Sequence, residues 1–199
     1  MWPFKRGKTQ TLPGKLPLVE ALQELRVIGI GKRDEVSDED LLCSLGGTME
    51  SSVDPIDLLC VLGGNVERGD CKRISDDIWH LDAECIVENG DYAALLEQFS
   101  ALARSHLPVS NVQDHVDIQG GVVWVEFDLD GKRIHWDLAA SDDWVDPKFY
   151  SRVQEIVIPR AAGKKFFIVA LGQDSLIGFG DDSLRQRLSE FAGLQFRWE

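Results

Sequence analysis

The order of apolar and polar residues changes period along the chain, and the changes mark out its elements. From Trp79 to Val87 the two kinds alternate, with Trp79, Leu81, Ala83 and Cys85 on one side and His80, Asp82 and Glu84 on the other, which is the pattern of a half-buried strand. From Tyr92 to Ala103 the apolar residues Tyr92, Leu95, Leu96, Phe99, Leu102 and Ala103 recur every three or four positions, the stripe of a helix, and Asp91 stands where a cap belongs. Alternation returns across residues 115–138. Asp146-Pro147 then opens a helix to about Val157, and residues 164–171 and 176–179 read as strands around Gly172-Gln173-Asp174-Ser175. A helix with Leu184, Leu188 and Phe191 ends at Gly193, and residues 194–198 form a last strand. Strands outnumber helices and tight turns join them. The prediction is an α+β fold: a mainly antiparallel sheet with a three-stranded meander, packed by helices on one face, plus an N-terminal helical hairpin.

The first 73 residues follow another plan. Residues 1–15, with Pro3, Gly7, Pro13 and Gly14, predict a flexible basic arm. Residues 16–73 predict a helical segment that begins with a short helix, Pro17 in its first turn and Leu18, Leu22 and Leu25 on one side. Two segments then echo each other, Asp40-Leu41-Leu42-Cys43-Ser44-Leu45-Gly46-Gly47 and Asp57-Leu58-Leu59-Cys60-Val61-Leu62-Gly63-Gly64. Each reads as a short helix ending at glycine. Ser37 followed by Asp40 marks the start of the first, and Asp54-Pro55 the start of the second. Two copies are too few for a solenoid, so the reading is a helical hairpin. Gly63-Gly64 leads into an irregular stretch to about residue 74, and residues 74–199 form the α+β domain.

Within the meander, Asp130-Gly131 predicts a two-residue type I′ turn that pairs Leu129 with Lys132. Phe127 then faces Ile134, Val125 faces Trp136 and Val123 faces Leu138, while the other face pairs Asp128 with Arg133, Glu126 with His135 and Trp124 with Asp137. Gly120-Gly121, taken as a second two-residue turn, sets Ile118 against Val123, Val116 against Val125, His115 against Glu126 and Asp117 against Trp124. Two polar rows result, His115–Glu126–His135 and Asp117–Trp124–Asp137. His80-Leu81-Asp82 repeats the spacing of His115-Val116-Asp117 and His135-Trp136-Asp137, so three His-x-Asp pairs could share one side of one sheet.

Three chemistries compete for this face. Two imidazoles flanking a carboxylate are ligand types for zinc, non-haem iron or another divalent metal, and His115, Glu126 and His135 would then serve a metal-dependent hydrolase. Strand spacing sets those histidines roughly 9–10 Å apart, so both would lean inward over Glu126. The same face reads as a binding surface, with Trp124 and Trp144 as anchors and Asp117, Glu126, Asp128, Asp137, Asp142 and Asp143 as charge partners. It also reads as a plain polar face, solvated or covered by a helix, with His–Glu hydrogen bonds. The loop of residues 141–147 has a structural reading too, with Asp146 capping, Pro147 in the first turn, Val145 packing on Tyr150 and Trp144 covering the core edge.

Charge separates these possibilities further. Residues 1–33 hold seven Lys/Arg against two Glu, and the remainder holds fourteen against 32 Asp/Glu, giving a chain of net charge −13. A body this acidic repels nucleic acid and anionic membrane and favours a basic protein partner. No apolar run approaches the ~20 residues of a membrane span. The basic N-terminus lacks a signal peptide's apolar stretch, so a cytoplasmic location without stable membrane insertion is expected. Cys43, Cys60, Cys71 and Cys85 form no CxxC pair, and Cys43 and Cys60 lie in apolar runs. Gly29-Ile30-Gly31-Lys32 lacks the spacing of a phosphate loop and reads as a turn after the first helix, and no GxSxG elbow occurs.

The blocks ISDDIWHLDAEC (74–85), DHVDI (114–118), IHWDL (134–138), DDWVDP (142–147) and GQDSLIG (172–178) resemble a family of uncharacterised bacterial cytosolic proteins. The resemblance covers about residues 74–199 and implies a bacterial, cytosolic origin, with no activity and no functional residues to carry over. The leading expectation is a non-catalytic acidic binding protein without a cofactor, an immunity-type inhibitor of a basic toxin being its most concrete form. The alternatives are the metal-dependent hydrolase, and a structural or regulatory subunit whose N-terminal helices dock on a larger assembly.

Overall fold

The computed structural model of the chain describes residues 14–66 and 72–198. Residues 1–13 of the expected basic arm, and Cys71, lie outside them. The fold is α+β with antiparallel sheets, one of them three-stranded. A two-stranded ladder, β1 (Leu16–Pro17) with β2 (Ser52–Val53), ties the start of α1 (Leu18–Ile28) to the segment between α2 (Asp38–Leu45) and α3 (Pro55–Gly63). A four-stranded sheet follows in the order β3 (Ile78–Asp82), β8 (Asp174–Gly180), β7 (Lys165–Ala170), β9 (Arg197–Trp198). The separate three-stranded sheet is the meander β4 (Ser110–Asp117), β5 (Val122–Leu129), β6 (Lys132–Leu138). The remaining helices are α4 (Asp91–Ala103), α5 (Pro147–Val157) and α6 (Asp182–Ala192).

The four-stranded sheet is a wall between two cores. Leu81, Phe166, Ile168 and Ile177 face α4, α5 and the apolar side of the meander. Ile78, Phe167 and Leu176 face the opposite way, into a core completed by α1, α2, α3 and α6. The second core therefore draws on residues from both sides of position 73. Phe99 sits at the centre of the first, with ring centroids 5.4 Å from Trp79, 5.9 Å from Phe149, 6.0 Å from Tyr150 and 4.9 Å from Phe166. Truncating a ring in such a setting costs about 3–5 kcal/mol. On the other side Gly63 lets α3 lie directly on β3, because a Cβ there would stand 2.4 Å from the His80 amide nitrogen.

Local chemistry sets the helix ends. Ser37 and Asp40 form a capping box on α2, Asp54 accepts from Ile56 N at 2.8 Å on α3, and Asp146 accepts from Lys148 N at 2.9 Å on α5. α1 ends on Gly29 at φ 109° and α6 on Gly193 at φ 61°. The expected cap on α4 is corrected. Its N-cap is Gly90, and the carboxylate serving that end is Asp114 of β4, which accepts from Gly90 N at 2.6 Å and Ala93 N at 3.0 Å. Asp91 turns back instead onto Val87 N and Glu88 N. The strand expected over residues 79–87 is shorter than its alternation suggests. After Asp82 the Ala83 amide still reaches Gln173 O, but Glu84 then bridges to Trp144 and the chain leaves the sheet.

Candidate functional site

The β5–β6 hairpin has the register its turn predicts, from Leu129 opposite Lys132 to Val123 opposite Leu138, with Asp130 and Gly131 at φ 52° and 73°. The β4–β5 hairpin does not. Its loop is Ile118–Gly121, four residues rather than two, so Asp117 pairs with Val122, Val116 with Val123, His115 with Trp124 and Gln113 with Glu126. The cause is local. The Asp117 carboxylate accepts from Gly120 N at 2.7 Å and closes the turn early, and Gly120 alone fits there, since a Cβ would lie 2.2 Å from that carboxylate. From Gln113 to Asp117 every side chain keeps its face, but its partner on β5 moves by two places.

The shift dissolves the expected rows. His115 no longer faces Glu126, so the metal row His115–Glu126–His135 does not assemble, and no group of three His, Cys, Asp or Glu among the described residues is arranged to hold a metal ion. Asp117 likewise leaves the row of Trp124 and Asp137. The expectation that three His-x-Asp pairs share one sheet is also corrected. His80 lies on β3 of the other sheet, its Nε2 3.4 Å from Asp174 Oδ1.

Aromatic rings take the place of the metal row. Trp124 lies between His115, at 5.9 Å and 30° between planes, and His135, at 5.4 Å and 36°. Trp124 is thus flanked by an imidazole from each neighbouring strand and stays partly exposed between them. His135 also lies between two carboxylates, Nδ1 3.5 Å from Glu126 and Nε2 3.3 Å from Asp137.

Two of the proposed charge partners are already paired with an arginine. Arg133 reaches Glu126 at 2.5 Å and Asp128 at 3.3 Å, and Asn111 donates to Asp128 at 2.6 Å. The Arg133 hydrogen bond, joined by that of His135, holds the Glu126 carboxyl below its ordinary value, and the Asn111 and Arg133 hydrogen bonds do the same for Asp128. Arg133 is fixed in turn by donating to Asn111 O at 2.7 Å, from a residue at φ 51°. Arg133 and Asn111 were not among the sequence candidates. The Asp128–Arg133 pairing was the available signal for the first, and no sequence signal marks the second. Asp137, by contrast, presents a side chain that is 91% exposed.

Asp142, Asp143 and Trp144 stand apart from this network, on a loop held beside residues 83–86. Ile86 N donates to Asp143 O at 2.9 Å, Val145 N to Ala83 O at 3.0 Å and Trp144 N to Ser141 O at 3.1 Å. Trp144 is half-buried and Asp142, at φ 55°, is exposed. Burial and the neighbouring carboxylates of Asp143, Asp82 and Asp142 raise the Glu84 carboxyl above its ordinary value. The loop is therefore tied to residues 83–86 and densely acidic, and no hydrogen bond or ion pair among the described residues joins it to the meander face.

The helices that pack the meander, α4 and α5, lie on its apolar side, and the N-terminal helices lie on the far side of the four-stranded sheet. Among the described residues the polar face of the meander is open. No helix of the described residues is long and apolar enough to cross a membrane. No family model matches the chain, and no curated protein or solved structure matches it either.

Proposed function

We propose that this is a non-catalytic acidic binding protein of bacterial, cytoplasmic origin that engages a basic protein partner, in the manner of an immunity protein neutralising a cationic toxin. The observation that carries the reading is the open meander face, where Trp124 and the exposed carboxylate of Asp137 stand on the sheet with, among the described residues, no helix over them. The charge of −13 supports it through long-range attraction. Trp124 supplies the central contact, Asp137, Asp142 and Asp143 the available charge, and Asp117 and Trp144 the flanks. Glu126 and Asp128 act mainly by holding Arg133, so the energy they offer a partner is reduced.

The test is association of the intact chain with a panel of cationic proteins, nuclease toxins included, at low and physiological salt. One partner should bind with an on-rate that falls steeply with salt. The pair Asp142→Lys and Asp143→Lys should slow that on-rate by about tenfold. Unchanged kinetics in the pair would remove the loop from the interface. Equal binding to every cationic protein, or to none, would remove the reading.

A further inference from the structure

We infer that the cleft at one end of the four-stranded sheet binds a small organic anion, one carrying a carboxylate or phosphate group on a flat apolar body. The cleft opens where the helices of the two cores diverge, between the end of α1, the end of α4 and the turn from β8 into α6. Its volume is about 350 Å3, within the range of small-molecule sites. Ile28, Leu102, Phe179 and Leu184 form an apolar wall, with the His106 ring 5.8 Å from that of Phe179.

The polar lining sorts by availability. Three carboxylates reach the cleft, and each is committed to the fold. Asp77 accepts from Gly31 N at 3.0 Å and from Arg104 at 2.8 Å, Asp181 accepts from Leu184 N at 2.9 Å, and Asp76 pairs with Arg73 at 3.3 Å and Arg33 at 3.6 Å. The cations are not so committed. Lys164 makes no side-chain hydrogen bond or ion pair among the described residues. Among the described residues Arg187 donates only to the carbonyls of Val27 and Ser183. Arg104 spends one nitrogen on Asp77, keeps its others, and has a side chain 66% exposed. Lys164 and Arg187, which pair with no carboxylate among the described residues, stand beside an apolar wall, and that combination selects an anion with an apolar body. This site is independent of the meander face and of the reading proposed for it.

The experiment titrates the intact, isotope-labelled protein with phenyl phosphate, benzoate and inorganic phosphate and follows its amide resonances. Phenyl phosphate or benzoate should saturate, with shifts at Gly29, Arg104, Ser105 and Gly180, and the tighter of the two identifies the headgroup. Inorganic phosphate should bind about tenfold more weakly, because it lacks the apolar body. Lys164→Glu should weaken the organic anion by about tenfold with an unchanged unfolding midpoint, since the Lys164 side chain holds nothing among the described residues and its backbone bond to Ala161 O is kept. Arg187→Gln should weaken it as well. The inference fails if neither organic anion saturates below about 10 mM. It fails equally if the shifts fall elsewhere, if inorganic phosphate binds as tightly as phenyl phosphate, or if Lys164→Glu leaves the affinity unchanged.

Discussion

Asp146 links three elements, and its replacement tests the frame that carries the acidic loop. The residue is 3% exposed. Its Oδ1 accepts from Lys148 N at 2.9 Å as the cap of α5, its Oδ2 accepts from Ala139 N at 2.8 Å just beyond β6, and its own N–H donates to Tyr92 Oη at 2.8 Å on α4. Asp146→Ala removes both acceptors and leaves the Tyr92 contact in place. Loss of the cap costs about 1 kcal/mol, and stranding the part-buried Ala139 N–H costs about 1 kcal/mol more. The expected destabilisation is about 2 kcal/mol, which in a chain of this length lowers Tm by about 4–8 °C. Urea unfolding followed by far-UV circular dichroism measures it, with an unchanged slope if the unfolded state is unaffected. Asp146→Asn keeps one acceptor and turns an NH2 group toward the other N–H, so it should lose about half as much. An alanine variant within about 0.5 kcal/mol of the parent would refute the double role, and so would an asparagine variant as stable as the parent.

Three other outcomes follow from contacts already described. Gly63→Ala pushes a methyl to 2.4 Å from His80 N and 2.8 Å from the Trp79 carbonyl carbon, so α3 must lift from β3. The urea midpoint should fall by an amount equivalent to about 2–3 kcal/mol. Glu126 has a folded-state pKa below its ordinary 4.5, so the stability it adds is fully present above that value and is lost as pH falls through the lower folded value. A carbon-detected titration should find Glu126 titrating below the ordinary glutamate value, and Arg133→Gln should move it back up. Burial, with Asp91, Asp82 and Asp143 nearby, pushes the Cys85 thiol up to about 11, and burial with Asp57, Asp174 and Asp54 does the same for Cys60. Iodoacetamide at pH ~8 should label both about 100-fold more slowly in the folded chain than in urea, read peptide by peptide in a mass spectrometer.

Much of the framework is legible in the sequence because the forces that build it are local. The stripe from Tyr92 to Ala103 is the buried face of α4, residue for residue. Ser37, Asp54-Pro55 and Asp146-Pro147 start their helices for reasons contained within four residues. What escapes the sequence is contact between distant segments. Asp114 caps α4 from 21–24 residues away, and no spacing rule singles it out from Asp91, which is adjacent and equally able to cap. The acidic pocket around Glu84 depends on a bridge to Trp144, 60 positions on. The small ladder of Leu16–Pro17 with Ser52–Val53 is too short to imprint an alternation at all.

The chemistry of the meander face depends on a still smaller margin. Residues on a strand return to the same face every second position, so sliding β4 by two residues leaves each side chain on the face it already occupied. Both registers set valine against valine, Val116 on Val125 in one and Val116 on Val123 in the other. Hydrophobic pattern therefore cannot choose between them, and the choice passes to the turn. Asp117 decides it, because an aspartate three residues before Gly120 can close the loop with its own carboxylate while the Gly-Gly pair has no side chain to favour a tighter one. One hydrogen bond of about 1 kcal/mol thus exchanges a His–Glu–His row for a His–Trp–His stack. Periodicity identifies which face carries the chemistry, but cross-strand partners are fixed by turn geometry. The Asp130-Gly131 hairpin, where the turn itself carries the register signal, was readable, while the Gly120-Gly121 hairpin became readable only through the side chain of Asp117.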